Sequence, residues 1–284
     1  MGQEYLATGF TDVDGRADAT AYQQCLTLLD ALPYFRGYKE RSYELLGLHP
    51  GLSVLEVGCG LGDDAVRMAA RVGPDGQVVG VDASMKLIAR AVARLPTDLP
   101  VRFVRADARR LPFRPDSFDR CRVDRTLQHI ADPGQAIREL VRVIKPGGLM
   151  LAYDNDWGTF SVSGQDTAIA QCVAAAWAEA ITNRWIGRYL QGYFLEAGLE
   201  RVVVEPSVSV LKDFALADRV YNLRQTTERL VAAGRLTPAD AARWLSDLQV
   251  QSRAGGFLCS LTAYTVVGVK PFSSPWPSSL ATRP

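Results

Sequence analysis

The chain has 284 residues, 48% of them hydrophobic and 22% charged, with 32 Lys and Arg against 31 Asp and Glu. That usage allows a sizeable core and excludes a disordered chain, and the balanced charge gives no field that would draw the protein to a polyanion, so nucleic acid is not an expected partner. The five cysteines, Cys25, Cys59, Cys121, Cys172 and Cys259, form no C-x-x-C pair and no Cys/His cluster, so reduced thiols and no metal are expected.

The chain opens with a polar stretch lacking an apolar leader, and no apolar run approaches the ~20 residues that span a bilayer. A cytoplasmic chain that engages no membrane is therefore expected. Residues 1–50 carry Tyr5, Phe10, Tyr22, Tyr34, Phe35, Tyr38 and Tyr43, more aromatics than a linker needs, and are expected to form a helical lid over the sheet's ligand-bearing end. From Ser53 to Asp154 short apolar runs alternate with helical patterns, the mark of βαβ units and a parallel sheet.

SVLEV (53–57) is the first strand, followed by a helix from about Asp63 to Val72 that Gly73-Pro74-Asp75-Gly76 stops. QVVGVD (77–82) is the second, after which Ser84 can cap the helix MKLIARAVARL by accepting from its free N–H groups. VRFVRAD (101–107) and FDRCRVD (118–124) are the third and fourth. An amphipathic helix follows Asp132-Pro133 with Ala136, Ile137, Leu140 and Val141 on one face. Lys145-Pro146-Gly147-Gly148 is expected to turn into the fifth strand, LMLAYD (149–154). Beyond it, helices are expected at 165–182, 187–198, 213–233 and 238–252, strands at 201–210 and 259–269, and a loose Pro- and Ser-rich tail at 271–284. The binding domain thus spans 51–270, with helical insertions at about 155–198 and 213–252.

Glu56-Val57-Gly58-Cys59-Gly60-Leu61-Gly62 lies where the first strand hands over to a helix, the edge at which parallel sheets bind ligands. Its glycines let a ligand approach the main chain, which would suit a dinucleotide as well. The dinucleotide fingerprint, however, needs its third glycine where Asp63 stands, and Asp64 follows. Two carboxylates there would repel a pyrophosphate, whereas an acidic rim suits S-adenosylmethionine, which carries a sulfonium and an ammonium. Asp82 ends the second strand, where a carboxylate can take both ribose hydroxyls, and Asp107 ends the third.

The segments VLEVGCGLGDDA, VVGVDASMKLIARA, VRFVRADARRLPFRPDSFDRCRV and RELVRVIKPGGLM resemble class I S-adenosylmethionine-dependent methyltransferases of the UbiE/methyltransferase-11 kind, over roughly residues 50–154. The resemblance implies an α/β, Rossmann-like, mostly parallel seven-strand sheet with an antiparallel last strand, helices on both faces and helical lid elements. It implies S-adenosylmethionine as cofactor, met by Glu56, Gly58, Cys59, Gly60 and Gly62, with Asp82 and Ala83 at the ribose. Met85 would lie against the adenine, Asp107 and Ala108 at its amine, and Asp124 and Arg125 beside the methionine part. The fourth strand departs from many relatives here, ending Val123-Asp124-Arg125-Thr126 with charges where small or apolar residues are usual.

His129 follows the fourth strand at the place that faces the transferring methyl in this fold, and reads either as general base or substrate orienter, or as a capping or packing residue. His49, in a loop, reads as a surface residue, and Cys59 as a small packing residue. Tyr22, Tyr34 and Tyr38 are candidate substrate contacts or lid packing. Asp154, Asn155 and Trp157 end the fifth strand and could orient a substrate or cap a helix. Arg188, like Arg184, could clamp an anion or lie solvated. The expected reaction is methyl transfer to O, N or C of a small hydrophobic or aromatic molecule. A cyclase or rearrangement enzyme on the same fold, or a non-catalytic binding protein, is the alternative. A small-molecule substrate is the expected partner, with a homodimer left open.

Overall fold

The computed structural model describes residues 10–15 and 19–272. Two helices lead, α1 (Thr20–Ala31) and α2 (Pro33–Leu45). Alternating units follow: β1 (Ser53–Val57), α3 (Asp63–Val72), β2 (Gln77–Asp82), α4 (Met85–Arg94), β3 (Val101–Arg105), β4 (Phe118–Asp124), a 3₁₀ turn (Leu127–His129), α5 (Pro133–Val143) and β5 (Ile144–Val162). The rest is α6 (Thr167–Glu179), α7 (Ile186–Glu196), β6 (Glu200–Leu211), α8 (Phe214–Tyr221), α9 (Leu223–Ala232), α10 (Pro238–Arg253) and β7 (Cys259–Val269). Tyr5 and the expected tail beyond Phe272 lie outside the described residues.

The strands form one sheet in the order β3-β2-β1-β4-β5-β7-β6, with β3 through β5 joined in parallel and β7 antiparallel to both neighbours. β1 buries all five of its residues because helices cover both faces. Leu55 and Val57 pack with Ile137 and Leu140 of α5 and Leu190 and Phe194 of α7. On the opposite face Val54 packs with Ala65, Met68 and Val72 of α3. Local chemistry fixes the helix starts: Ser84 Oγ accepts from Leu87 N–H at 3.2 Å, and Asp132 Oδ1 from Gln135 N–H at 2.8 Å ahead of Pro133.

The structure departs from the sequence reading in three places. Residues 145–148 stay within β5 as an irregularity, where pairing jumps from Phe118↔Ile144 to Arg120↔Leu149 and Gly147, at φ 78°, donates its N–H to Lys270 O. β5 then runs on past Asp154, where the strand is expected to end, pairing with β7 as far as Val162↔Cys259, so the first part of the insertion expected from about 155 is strand, and helix begins at Thr167, close to the expected 165. The expected helix 213–233 is two helices, broken at Asn222 in the left-handed conformation (φ 45°) that asparagine tolerates.

The extended ends of β5, β6 and β7 carry a third core above the ligand-bearing edge. Trp157, Phe160, Leu211 and Leu261 from the strands pack there with Trp177 of α6, Tyr221 of α8 and Trp244 of α10. Cys25 and Leu29 of α1 and Phe35 and Tyr38 of α2 close the same cluster. Among the described residues no helix is long and apolar enough to cross a membrane.

Candidate active site

A cavity of about 470 Å³ lies at the carboxyl ends of β1, β2 and β4, roofed by α1 and α2. The glycine loop forms one half of its wall. Gly58 and Cys59 both donate N–H to Val81 O, at 2.7 and 2.9 Å, which ties the loop to the end of β2. Gly58 has φ 76° and no room for a Cβ against Thr126, and Gly62 (φ 81°) likewise abuts Phe103. Gly62 therefore shapes the loop from behind, whereas Gly58, Cys59 and Gly60 line the cavity.

Asp82 is held by its own neighbours: Gly60 N–H donates to Oδ2 at 3.0 Å and Ser84 N–H to Oδ1 at 2.9 Å. Burial raises its pKa, partly offset by these bonds. Ala83, Asp107 and Ala108 line the same end, with Asp107 paired to Arg109 at 2.7 Å. Met85 is 49% exposed and lies off the cavity wall. The free N–H groups of α4 go instead to Asp14, which accepts from Met85 and Lys86 N–H at 2.9 and 3.1 Å and from Ser84 Oγ at 2.6 Å. Nothing in the sequence spacing links Asp14 to a helix seventy residues on.

The pair Asp63 and Asp64, expected as an acidic rim, is neutralised within the fold. Asp63 meets Arg94 at 2.7 Å. Asp64 meets Lys39 at 2.8 Å, Arg67 at 3.0 Å, Arg122 at 3.2 Å and the Tyr43 hydroxyl at 2.7 Å. The rim's charge thus no longer argues for a cationic ligand. Arg122 is fully buried and also reaches Glu56 Oε1 and Asp124 Oδ2, both at 2.8 Å, and Ser42 Oγ at 3.0 Å. Burial would raise Asp64, but Arg122 and Lys39 outweigh it and hold that carboxyl below the ordinary range. Burial and the nearby Asp64 push Glu56 up to about 8. Glu56 Oε2 is buried without a hydrogen-bond partner among the described residues, on the cavity wall. A buried acceptor left open in this way suits a ligand ammonium, and Asp82 keeps acceptor capacity for hydroxyls. On both counts these residues fit S-adenosylmethionine.

The other half of the cavity is aromatic. Tyr34, Phe35, Tyr153, Trp157, Trp177 and Tyr221 line it, with Asn155 and Ser209 among them. Tyr38 stacks on Tyr153 at 3.8 Å and 2° and donates its hydroxyl to Asp124, so it backs the wall rather than forming it. Tyr22 is buried beneath Phe10, edge-on at 5.1 Å, off the wall. Arg188 is brought not to the cavity but to Asp156, at 2.6 Å. Asp154 lies behind the wall, fully buried, accepting backbone N–H bonds from Gln128 and Asn155 at 3.1 Å, and burial pushes it up to about 8.

His129 lines the cavity, and its neighbours fix its tautomer. Trp157 Nε1–H can only donate, and it donates to Gln128 Oε1 at 2.7 Å, which orients that amide. The amide Nε2 then points its hydrogen at His129 Nε2, 3.1 Å away, so the imidazole proton sits on Nδ1. Burial, aided by Arg125, lowers His129 to about 4. With its one lone pair engaged, the ring as held offers a donor rather than a base. Asn183 clamps this segment, its side chain donating to Leu127 O and Ile130 O. His49 is bound to Pro50 O on the surface, away from the cavity. Among the described residues no cluster of His, Cys, Asp and Glu is arranged to hold a metal.

The Methyltransferase domain family matches residues 54–148. The chain is 36% identical over 251 residues, 88% of its length and 71% of the other, to an uncharacterized 37.1 kDa protein in transposon TN4556 of Streptomyces fradiae. It is 31% identical over 132 residues to the demethylmenaquinone methyltransferase of Staphylococcus aureus, spanning 46% of this chain and 55% of that one. The solved structure of YcgJ from Bacillus subtilis shares the fold with a TM-score of 0.58 at 18% identity, covering 84% of this chain and 100% of that. The chain belongs to the class I S-adenosylmethionine-dependent methyltransferases.

Two outcomes follow from the site's electrostatics. Arg122→Met removes the cation shared by three buried carboxylates and leaves Glu56 without one, and should lower the unfolding free energy by about 3–5 kcal/mol in urea titrations, whereas an unshifted midpoint would mean that Glu56 is held as the neutral acid. His129 has a folded pKa below its unfolded one, so the unfolded chain binds the extra proton. Its contribution is full above pH 6.5, declines as pH falls, and is gone near 4. His129→Gln should flatten the pH dependence of stability across that window by roughly 2–3 kcal/mol. Superimposable wild-type and variant curves would remove the ring from that role.

Proposed function

We propose that this chain binds S-adenosylmethionine along the glycine-loop half of the cavity and transfers its methyl to O, N or C of a small hydrophobic or aromatic molecule held in the other half. The observation that carries the reading is the continuity of the cavity: Gly60, Asp82 and Glu56 share it with Tyr34, Trp157 and Tyr221. When bound, S-adenosylmethionine supplies an electrophilic methyl on sulfur. Asp82, already oriented by two backbone N–H groups, would take the ribose hydroxyls, and Glu56 Oε2 would accept from the ammonium, which favours its ionised form.

The aromatic walls would hold the acceptor in line and exclude water, so that positioning supplies most of the rate. α1 and α2 would serve as the lid, since Cys25, Leu26, Leu29, Tyr34 and Phe35 all face the cavity. An acceptor of modest size is favoured by the volume, which a cofactor must share.

Calorimetry should show S-adenosylhomocysteine binding, and preferential binding of NAD would sink the reading. Asp82→Ala should weaken that binding by about 1.5–3 kcal/mol, roughly ten- to a hundredfold, with the fold intact by circular dichroism. An unchanged dissociation constant would place the ribose elsewhere. Turnover is followed as gain of one methylene unit by mass spectrometry together with S-adenosylhomocysteine release. Conversion of an acceptor without that release would instead favour a rearrangement on the same fold.

A further inference from the structure

Among the described residues four basic side chains line the cavity, and three of them are engaged. Lys39 is held by Asp64 and Asp30 at 2.8 and 3.4 Å, Arg105 donates to Ala83 O at 3.1 Å, and His129 accepts from Gln128. Arg125 differs. Its charge partner is Asp124, 3.5 Å from Nε, in a contact that makes no hydrogen bond. Asp124 is itself already committed to Arg122 at 2.8 Å and to the Tyr38 hydroxyl at 3.1 Å.

Among the described residues no guanidinium nitrogen of Arg125 has a hydrogen-bond acceptor, and Nε is buried. Arg125 sits at φ 48°, an uncommon conformation for a non-glycine residue, with its N–H given to Tyr153 O at 2.8 Å. Its guanidinium lies over the Phe35 ring at 5.0 Å, on the aromatic side of the cavity rather than among the groups around Asp82. A second donor lies on the same wall, for His129 Nδ1, which carries the ring proton, is buried without a partner. Two buried donors on one cavity lining with no acceptor among the described residues, one of them charged, are costly unless a ligand supplies the acceptor.

We propose that Arg125 and His129 form an oxyanion subsite on the aromatic side of the cavity, and that the substrate is an aromatic molecule bearing a carboxylate or an ionised hydroxyl. The proposal rests on the methyl-transfer reading of the same cavity and names its substrate class. Phe35, Trp157 and Tyr221 would take the ring and Arg125 the oxyanion, in a setting where the planar guanidinium is already stacked and needs little reordering. An amine of the same shape would meet the Arg125 charge head-on.

The test uses protein saturated with S-adenosylhomocysteine and the matched probes cinnamate, cinnamyl alcohol and cinnamylamine, with ionised nitrophenol as the phenolate counterpart, binding being read by calorimetry. Cinnamate or nitrophenolate should bind roughly tenfold more tightly than the alcohol or the amine, and the stronger of the two anions tells carboxylate from phenolate. In Arg125→Gln that preference should vanish while S-adenosylhomocysteine affinity stays within about threefold, which also reports an intact fold, and Arg125→Lys should restore part of it. Equal binding of acid and amine, no binding of any probe, or a preference that survives in Arg125→Gln overturns the proposal. So does loss of S-adenosylhomocysteine affinity in Arg125→Gln with the acid preference retained, since the guanidinium would then serve the cofactor. Failure of the wild-type protein to bind S-adenosylhomocysteine at all would instead defeat the methyl-transfer reading beneath it.

Discussion

The guanidinium of Arg122 is the point on which the cavity's geometry depends. It is inaccessible to water and touches Glu56 at the end of β1, Asp64 in the first turn of α3, Asp124 at the end of β4 and Ser42 of α2. A charge buried that deeply is tolerated only where its partners are fixed, so the two strand ends, the helix after the glycine loop and the second leading helix are held in one arrangement. Lys39, Tyr43 and Arg67 extend the same net to Asp30 on α1. The loop that would meet the cofactor and the helices that roof it are therefore positioned by one set of charges.

That net also separates what the sequence shows from what it hides. Strand–loop–helix units leave periodic signatures, so β1 through β4 and the helices between them are readable, as is β7, whose observed bounds coincide with the sequence expectation. The Ser84 cap is equally local, a side chain meeting an N–H three residues on. Glu56, Gly58, Gly60 and Asp82 are legible because the glycine loop is a local motif at a strand end, where the sheet itself aims residues at the ligand edge. Arg122 is not legible, since an arginine in a strand reads as a solvated position until Glu56 and Asp64, about sixty residues away, join Asp124 of its own strand around it. Reading Asp63 and Asp64 as a free rim failed for the same reason.

The extension of β5 shows a subtler miss. Asn155 to Val162 carries the aromatics Trp157 and Phe160 and the β-branched Thr159 and Val162, yet its sequence reads as the start of a helical insertion because regular alternation lapses after Asp154. The eleven residues of β7 needed antiparallel partners along their whole length, and Val162↔Cys259 and Leu211↔Cys259 supply them. Strand length on one side thus carried information about the other, but only long-range pairing converts it into structure. It is this extension that brings Trp157 into the cavity and turns a generic sheet edge into an aromatic chamber.

The chamber's chemistry follows from its acid–base state. Burial raises the Tyr38 and Tyr153 hydroxyls and pushes the Cys25 thiol up to about 11, so all three stay protonated near neutral pH. His129 stays neutral but spends its lone pair on Gln128, a consequence of the Trp157 donor that fixes the amide. Asp124 is occupied by Arg122 and Tyr38. Among the described residues these assignments leave no group on the aromatic side to remove a proton from an acceptor. A nucleophile entering this chamber must bring its lone pair ready, as a neutral amine, a carbon nucleophile or an oxygen that has already lost its proton. Of these, the oxygen anion is the one that Arg125, whose guanidinium makes no hydrogen bond among the described residues, would draw in and hold, so that the residue proposed to select the substrate would also select its reactive protonation state.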